Sequence, residues 1–94
     1  MEENYFISGG VDDQEKIYYI QNTDPIVWCD EISEAKKYDV SSKAEFDVYM
    51  DQDTIRNTFN SSSMNRIEIF EIEGESNYII QRIVILRKGQ GWLS

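Results

Sequence analysis

Polar and apolar positions alternate along residues 65–73, where Ile67, Ile69 and Ile72 are interleaved with Arg66, Glu68 and Glu71. A period near two predicts a half-buried strand. Residues 74–77, Gly-Glu-Ser-Asn, carry turn chemistry, and residues 78–88 return with a dense run of β-branched side chains. The two runs predict an antiparallel hairpin against which the rest of the chain packs.

Two shorter apolar runs open the chain, residues 4–8 and 16–21, separated by Gly9, Gly10 and an acidic stretch. Glycine permits positive φ and the acids keep a loop wet, so the pattern predicts a first hairpin with a long connection over residues 9–15. Tyr5 and Ile7 should face one way and Phe6 the other, with Ile17 and Tyr19 opposed to Tyr18 and Ile20. Asn22, Thr23, Asp24 and Pro25 signal a turn. Residues 26–28 then predict a short strand or an extended crossing, with Trp28 as a core anchor.

Helical signals fill the middle of the chain. Asp30 as cap, Glu31 in a first turn and Lys36 and Lys37 in a last turn predict a short helix with Ile32, Ala35 and Tyr38 inward. Ser42 and Glu45 form a capping-box pattern that predicts the start of a second helix. Phe46, Tyr49 and Met50 fall at i, i+3 and i+4, whereas Val48, Ile55 and Phe59 belong to another stripe. One straight helix cannot bury both, so a break is expected near residues 51–53, with Asp53 capping the last turns. Residues 60–63 read as a polar linker, and Trp92 with Leu93 as a terminal apolar pair folded back on the core.

The expected fold is therefore α+β. One domain over residues 1–94 would hold an antiparallel sheet of four to five strands, in two hairpins, with one or two short helices on one face. Composition agrees: thirteen Ile and five Val stand against two Leu, a bias toward pleated sheet. No apolar run reaches the roughly 20 residues that span a bilayer, and the start Met1-Glu-Glu lacks the basic region of a secretory signal. A soluble, cytoplasmic protein without membrane contact is expected.

Charge changes the picture more than composition does. Eighteen acidic and nine basic residues give a formal charge of −9. Residues 1–53 hold fourteen of the acids and only four lysines, so the excess belongs to the first half. Such a field disfavours direct binding to nucleic acid and favours a basic protein surface.

The chain has no histidine and one cysteine, Cys29. Those two facts remove histidine-based triads, Cys-His nucleophiles, histidine zinc ligation and any internal disulfide. Cys29 is expected as a small buried hydrophobe. Asp12, Asp13 and Glu15 fail the oxygen spacing of a calcium loop, as do Asp51 and Asp53. No metal, no cofactor and no catalysis are expected.

The candidate partner-binding residues are Glu45, Asp47, Asp51 and Asp53, followed by Asp12, Asp13 and Glu15. Asp47 and Asp51 are like charges at i, i+4, a spacing that costs a few tenths of a kcal/mol. A row of carboxylates held despite that repulsion imitates a phosphate backbone facing a basic groove. Glu68, Glu71, Glu73 and Glu75 with Arg66, Arg82, Arg87 and Lys88 are expected to pair across the main hairpin, for register rather than as a site.

Tyr5, Phe6 and Ile7, then Tyr18 to Asn22, then Val27 to Tyr38 form a series over residues 5–46 that resembles small acidic orphan proteins of bacteriophages and mobile elements. The resemblance implies a phage-encoded inhibitor of host defence, similar to anti-CRISPR proteins, and assigns no site residue. The leading expectation is thus a non-enzymatic binding protein that occupies the basic groove of a nuclease or other nucleic-acid-binding protein. The alternative is an assembly module that forms a homodimer through a sheet edge or through Trp92 and Leu93.

Overall fold

The alternating run becomes the middle of a sheet. A computed structural model describes residues 3–91. Its strands are β1 (Tyr5–Asp12), β2 (Ile17–Asn22), β3 (Val27–Cys29), β4 (Met64–Ile72) and β5 (Ile79–Arg87), and its helices are α1 (Ser41–Met50) and α2 (Gln52–Ser61). The sheet has the order β3-β2-β1-β4-β5, and each paired neighbour is antiparallel. Two hairpins are therefore joined side by side through β1 and β4, with both helices on one face, an α+β fold. The Trp92 and Leu93 pair lies outside the described residues.

Being central, β4 is buried on both faces rather than on one. Ile67 and Ile69 point to the helices and join Ile20, Val48, Ile55, Phe59 and Leu86 in one cluster. Phe70 and Ile72 point the other way and join Ile7, Val11, Tyr19 and Ala35 in a second. The facing expected for β1 and β2 is observed: Ile7 and Tyr19 lie in the second cluster, Phe6, Tyr18 and Ile20 with the first. A register shift against β4 between Ile67 and Glu68 leaves Ile85 as an extra residue, so Ile85 and Leu86 both reach the helix side.

Several local expectations are corrected by pairing between strands. Gly9 and Gly10 are not a loop; they lie inside β1, and the turn is shortened to a few residues after Asp12. A Cβ on Gly9 would stand 2.9 Å from the Tyr18 carbonyl oxygen and 3.0 Å from the Phe70 ring, and one on Gly10 would collide with Met64. Both glycines serve close packing, not turning. The helix expected from Asp30 is a single 3-10 turn, Ile32–Glu34. Its continuation is drawn into the sheet: Lys36 donates its N–H to the Ile20 carbonyl at 3.0 Å, and Tyr38 exchanges two backbone hydrogen bonds with Phe6 at 2.8 and 2.9 Å. Ile32 and Ala35 therefore meet one cluster and Tyr38 the other.

α1 opens at Ser41 with Val40 in the capping position and no side-chain cap, so the cap falls two residues ahead of the expected Ser42 and Glu45 sits too deep to reach back. The break falls where the stripes require it, at Asp51, and α2 follows directly. Asp53 lies in the first turn of α2 rather than capping it. The linker is shorter than expected, because α2 runs through Ser61. Ser61 and Ser62 return their hydroxyls to the Asn57 and Thr58 carbonyls at 2.8 and 2.7 Å.

The charged hairpin residues also behave differently from a surface ladder. Glu68 is 2% exposed, on the face opposite the helices. Arg82 gives it hydrogen bonds of 2.7 and 2.9 Å and Arg66 one of 2.7 Å, while Arg66 also pairs with Glu15 at the surface. Burial pushes the Glu68 carboxyl up, but the two guanidinium groups outweigh it and hold the group below its ordinary value. The Arg82 guanidinium also lies 5.3 Å from the Phe70 ring centre. This carboxylate is a structural centre, not register decoration.

Candidate functional site

α1 has two apolar faces, and the core uses one. Ala44 and Val48 are fully buried against the sheet. On the opposite side Phe46, Tyr49 and Met50 are 61, 46 and 65% exposed. Exposed apolar residues scattered singly need no explanation. Three at i, i+3 and i+4 form a continuous stripe, the spacing by which helices present anchors to a partner.

The stripe is sculpted and rimmed by acid. Phe46 stands between two shallow clefts, one lined by Tyr38, Ser42, Lys43 and Asp47 and the other by Ser42, Glu45 and Tyr49. A third, beside Met50, is lined by Thr23, Asp24, Asp47 and Asp51. Glu45, half-buried, flanks Phe46, and Asp53 is exposed in the first turn of α2.

The four helix carboxylates do not have equal freedom. Asp47 accepts the Tyr38 hydroxyl at 2.6 Å and the Lys36 ammonium at 3.0 Å. The Tyr38 hydroxyl, aided by Lys36, holds the Asp47 carboxyl below its usual range, although burial opposes the shift. Burial in turn drives the Tyr38 phenol far above its ordinary value, and the adjacent Asp47 charge adds to this. Asp51 accepts the backbone N–H of Asp24 at 2.7 Å, tying the β2–β3 turn to the junction of the helices. Asp24 has φ of +56° and precedes a cis peptide bond to Pro25. Asp47 and Asp51 thus build the face, and Glu45 and Asp53 present charge from it.

Asp12, Asp13 and Glu15 lie apart from these four. They occupy the β1–β2 turn, separated from Asp24 and Asp51 by the length of β2, about 20 Å for its six residues. Asp12 is 8% exposed and receives the N–H groups of Gln14 and Lys16, both at 2.9 Å, which makes it a turn-forming residue. Asp13 is exposed, and Glu15 is held by Arg66, whose hydrogen bond keeps its carboxyl below the ordinary value. The seven carboxylates form two separate groups.

Phe46, Tyr49 and Met50 carry no charge and so fall outside a site expected from carboxylates alone. The signal was nonetheless there: two apolar stripes on one short helix leave one of them without a core. Cys29 is half-buried, places Sγ 3.6 Å from the Glu31 carbonyl oxygen and is pushed up by burial, which disfavours its thiolate. Among the described residues no three acidic or cysteine side chains converge on a metal-sized space, and no helix is long and apolar enough to cross a membrane. The chain matches no family model, no curated protein and no solved structure.

Proposed function

We propose that this chain is a non-enzymatic binding protein whose working surface is the outer face of α1, and that it docks on a basic, nucleic-acid-handling protein and competes there with nucleic acid. The observation that carries the reading is the exposed Phe46, Tyr49 and Met50 stripe beside Glu45, with Asp53 exposed in the first turn of the next helix. Apolar anchors surrounded by charge are the anatomy of a docking patch, with the anchors supplying affinity and the rim supplying steering and partner choice. A partner whose groove is built for phosphates offers the complementary sign. An inhibitor of a host defence nuclease, phage-encoded, fits this chemistry.

The test begins with capture from a nuclease-treated host lysate by tagged protein, washed at low and high salt. The captured protein is then purified and its nucleic-acid binding titrated against the wild-type chain and two variants. Wild type should displace nucleic acid. Glu45→Lys with Asp53→Lys should weaken binding most at low salt, and Phe46→Ala should weaken it at every salt concentration. Displacement that both variants retain would remove the reading.

A further inference from the structure

The two edges of the sheet are unequal. β3 spans three residues and is followed by Asp30 and Glu31, so it is blunted by brevity and charge. β5 spans nine residues and, among the described residues, pairs only with β4, so no described strand covers its outer row of backbone groups. One usual protection is present, since register shifts against β4 leave Ile80 and Ile85 as extra residues in the strand, but others are missing. The strand has no proline, and its central charge, Arg82, is withdrawn to Glu68 over Phe70. Tyr78, Ile80 and Ile83 are exposed along it at 54, 44 and 37%.

Charge identifies the occupant. Residues 78–88 contain Arg82, Arg87 and Lys88 and no carboxylate, whereas the turn that enters the strand carries Glu73 and Glu75. One end of the edge is acidic and the other basic. A parallel neighbour would set like ends together; an antiparallel copy sets the basic end of each strand beside the acidic turn of the other. We propose that β5 pairs antiparallel with β5 of a second copy across a two-fold axis at Ile83, joining two five-stranded sheets into one of ten. This register places Ile83 opposite itself and Arg82 opposite Val84. It also brings Lys88 opposite Tyr78, next to Glu75. Each contact off the axis occurs twice, as an isologous interface requires. The α1 faces are not consumed, so the dimer presents two of them.

Sedimentation equilibrium of the untagged chain over a concentration series tests this, with far-UV circular dichroism and melting to verify each fold. Wild type should reach twice the single-chain mass of 11.1 kDa. Ile83→Lys, which sets two ammonium groups face to face, should stay at one chain with an unchanged spectrum. Lys88→Glu and Glu75→Lys should each weaken association at least tenfold alone. Mixed together they should recover wild-type association, because both cross-pairs in the heterodimer are again of opposite sign. A wild-type chain of single mass at every concentration overturns the proposal. So does a dimer indifferent to Ile83→Lys, or a mixture that does not recover. The two charge variants lie at the exposed ends of the strand, so a folding failure of Ile83→Lys would leave them as the deciding measurement.

Discussion

α1 and α2 are adjacent helices of ten residues each, and they are built on opposite principles. α2 concentrates its apolar side chains, burying Ile55 and Phe59 and leaving Asp53, Arg56, Asn57 and Asn60 toward water. α1 divides them, burying only the small Ala44 and Val48 and exposing the large Phe46, Tyr49 and Met50. Packing alone therefore accounts for α2 and not for α1. The shortfall is met by polar ties, Asp47 to Lys36 and Tyr38, and Asp51 to the Asp24 backbone. The outward face of α1 is the one on which the proposed function rests.

The sharpest way to break the comparison is to make the same substitution on each helix. Phe59→Ala should cost about 3–5 kcal/mol in chemical denaturation, since its ring is 5% exposed in the core. Equal losses for Phe59→Ala and Phe46→Ala would mean that α1 has no outward face.

Next in size is a control in the sheet beneath both helices. Glu68→Gln should cost about 3 kcal/mol, because it leaves the Arg66 and Arg82 guanidinium groups short of a buried counter-charge. The wild-type contribution carries a pH signature. With the folded pKa lowered from an ordinary 4.5, it is fully present above that value and is lost as pH falls through the folded one. Melting at pH 7 and pH 3 should show a smaller wild-type advantage over Glu68→Gln at the acid end.

Asp47→Asn comes third, at about 1–2 kcal/mol, and should loosen α1 while sparing α2. Native-state hydrogen exchange resolves the two helices, and faster exchange confined to residues of α1 is the expected pattern. The smallest effect belongs to the exposed stripe. Phe46→Ala and Met50→Ala should change stability by less than about 0.5 kcal/mol each, yet Phe46→Ala should weaken partner binding. That separation of stability from binding is what the outward face requires.

Much of the architecture was legible before the structure. Alternation at Ile67, Ile69 and Ile72 and the β-branched return strand gave the main hairpin. The conflict between the two stripes places a break near residues 51–53, and the structure has it at Asp51. The candidate site was legible only as charge: Glu45 and Asp53 stand as expected on the helix surface, but Asp12 proved to be a buried turn residue and Asp47 a tie to Tyr38. Asp12 is met by the nearby amides of Gln14 and Lys16, whereas Asp47 and Asp51 are met by donors farther along the chain, such as Lys36 or the amide of Asp24, and no local pattern names those.

By itself the sequence determined what local chemistry can determine: strand or helix period, the facing of alternate residues, the −9 charge and its place in the first half, and the absence of histidine chemistry. Only the tertiary structure decided the strand order, and with it which residues are central. Placing β4 between β1 and β5 buried Glu68 between two arginines. It also made Gly9 and Gly10 packing positions under Phe70 and Met64, and left β5 at the edge. The physical reason is common to all three. Periodicity fixes how a side chain points relative to its own backbone, whereas burial and partnership are properties of the neighbour, which the chain supplies from tens of residues away.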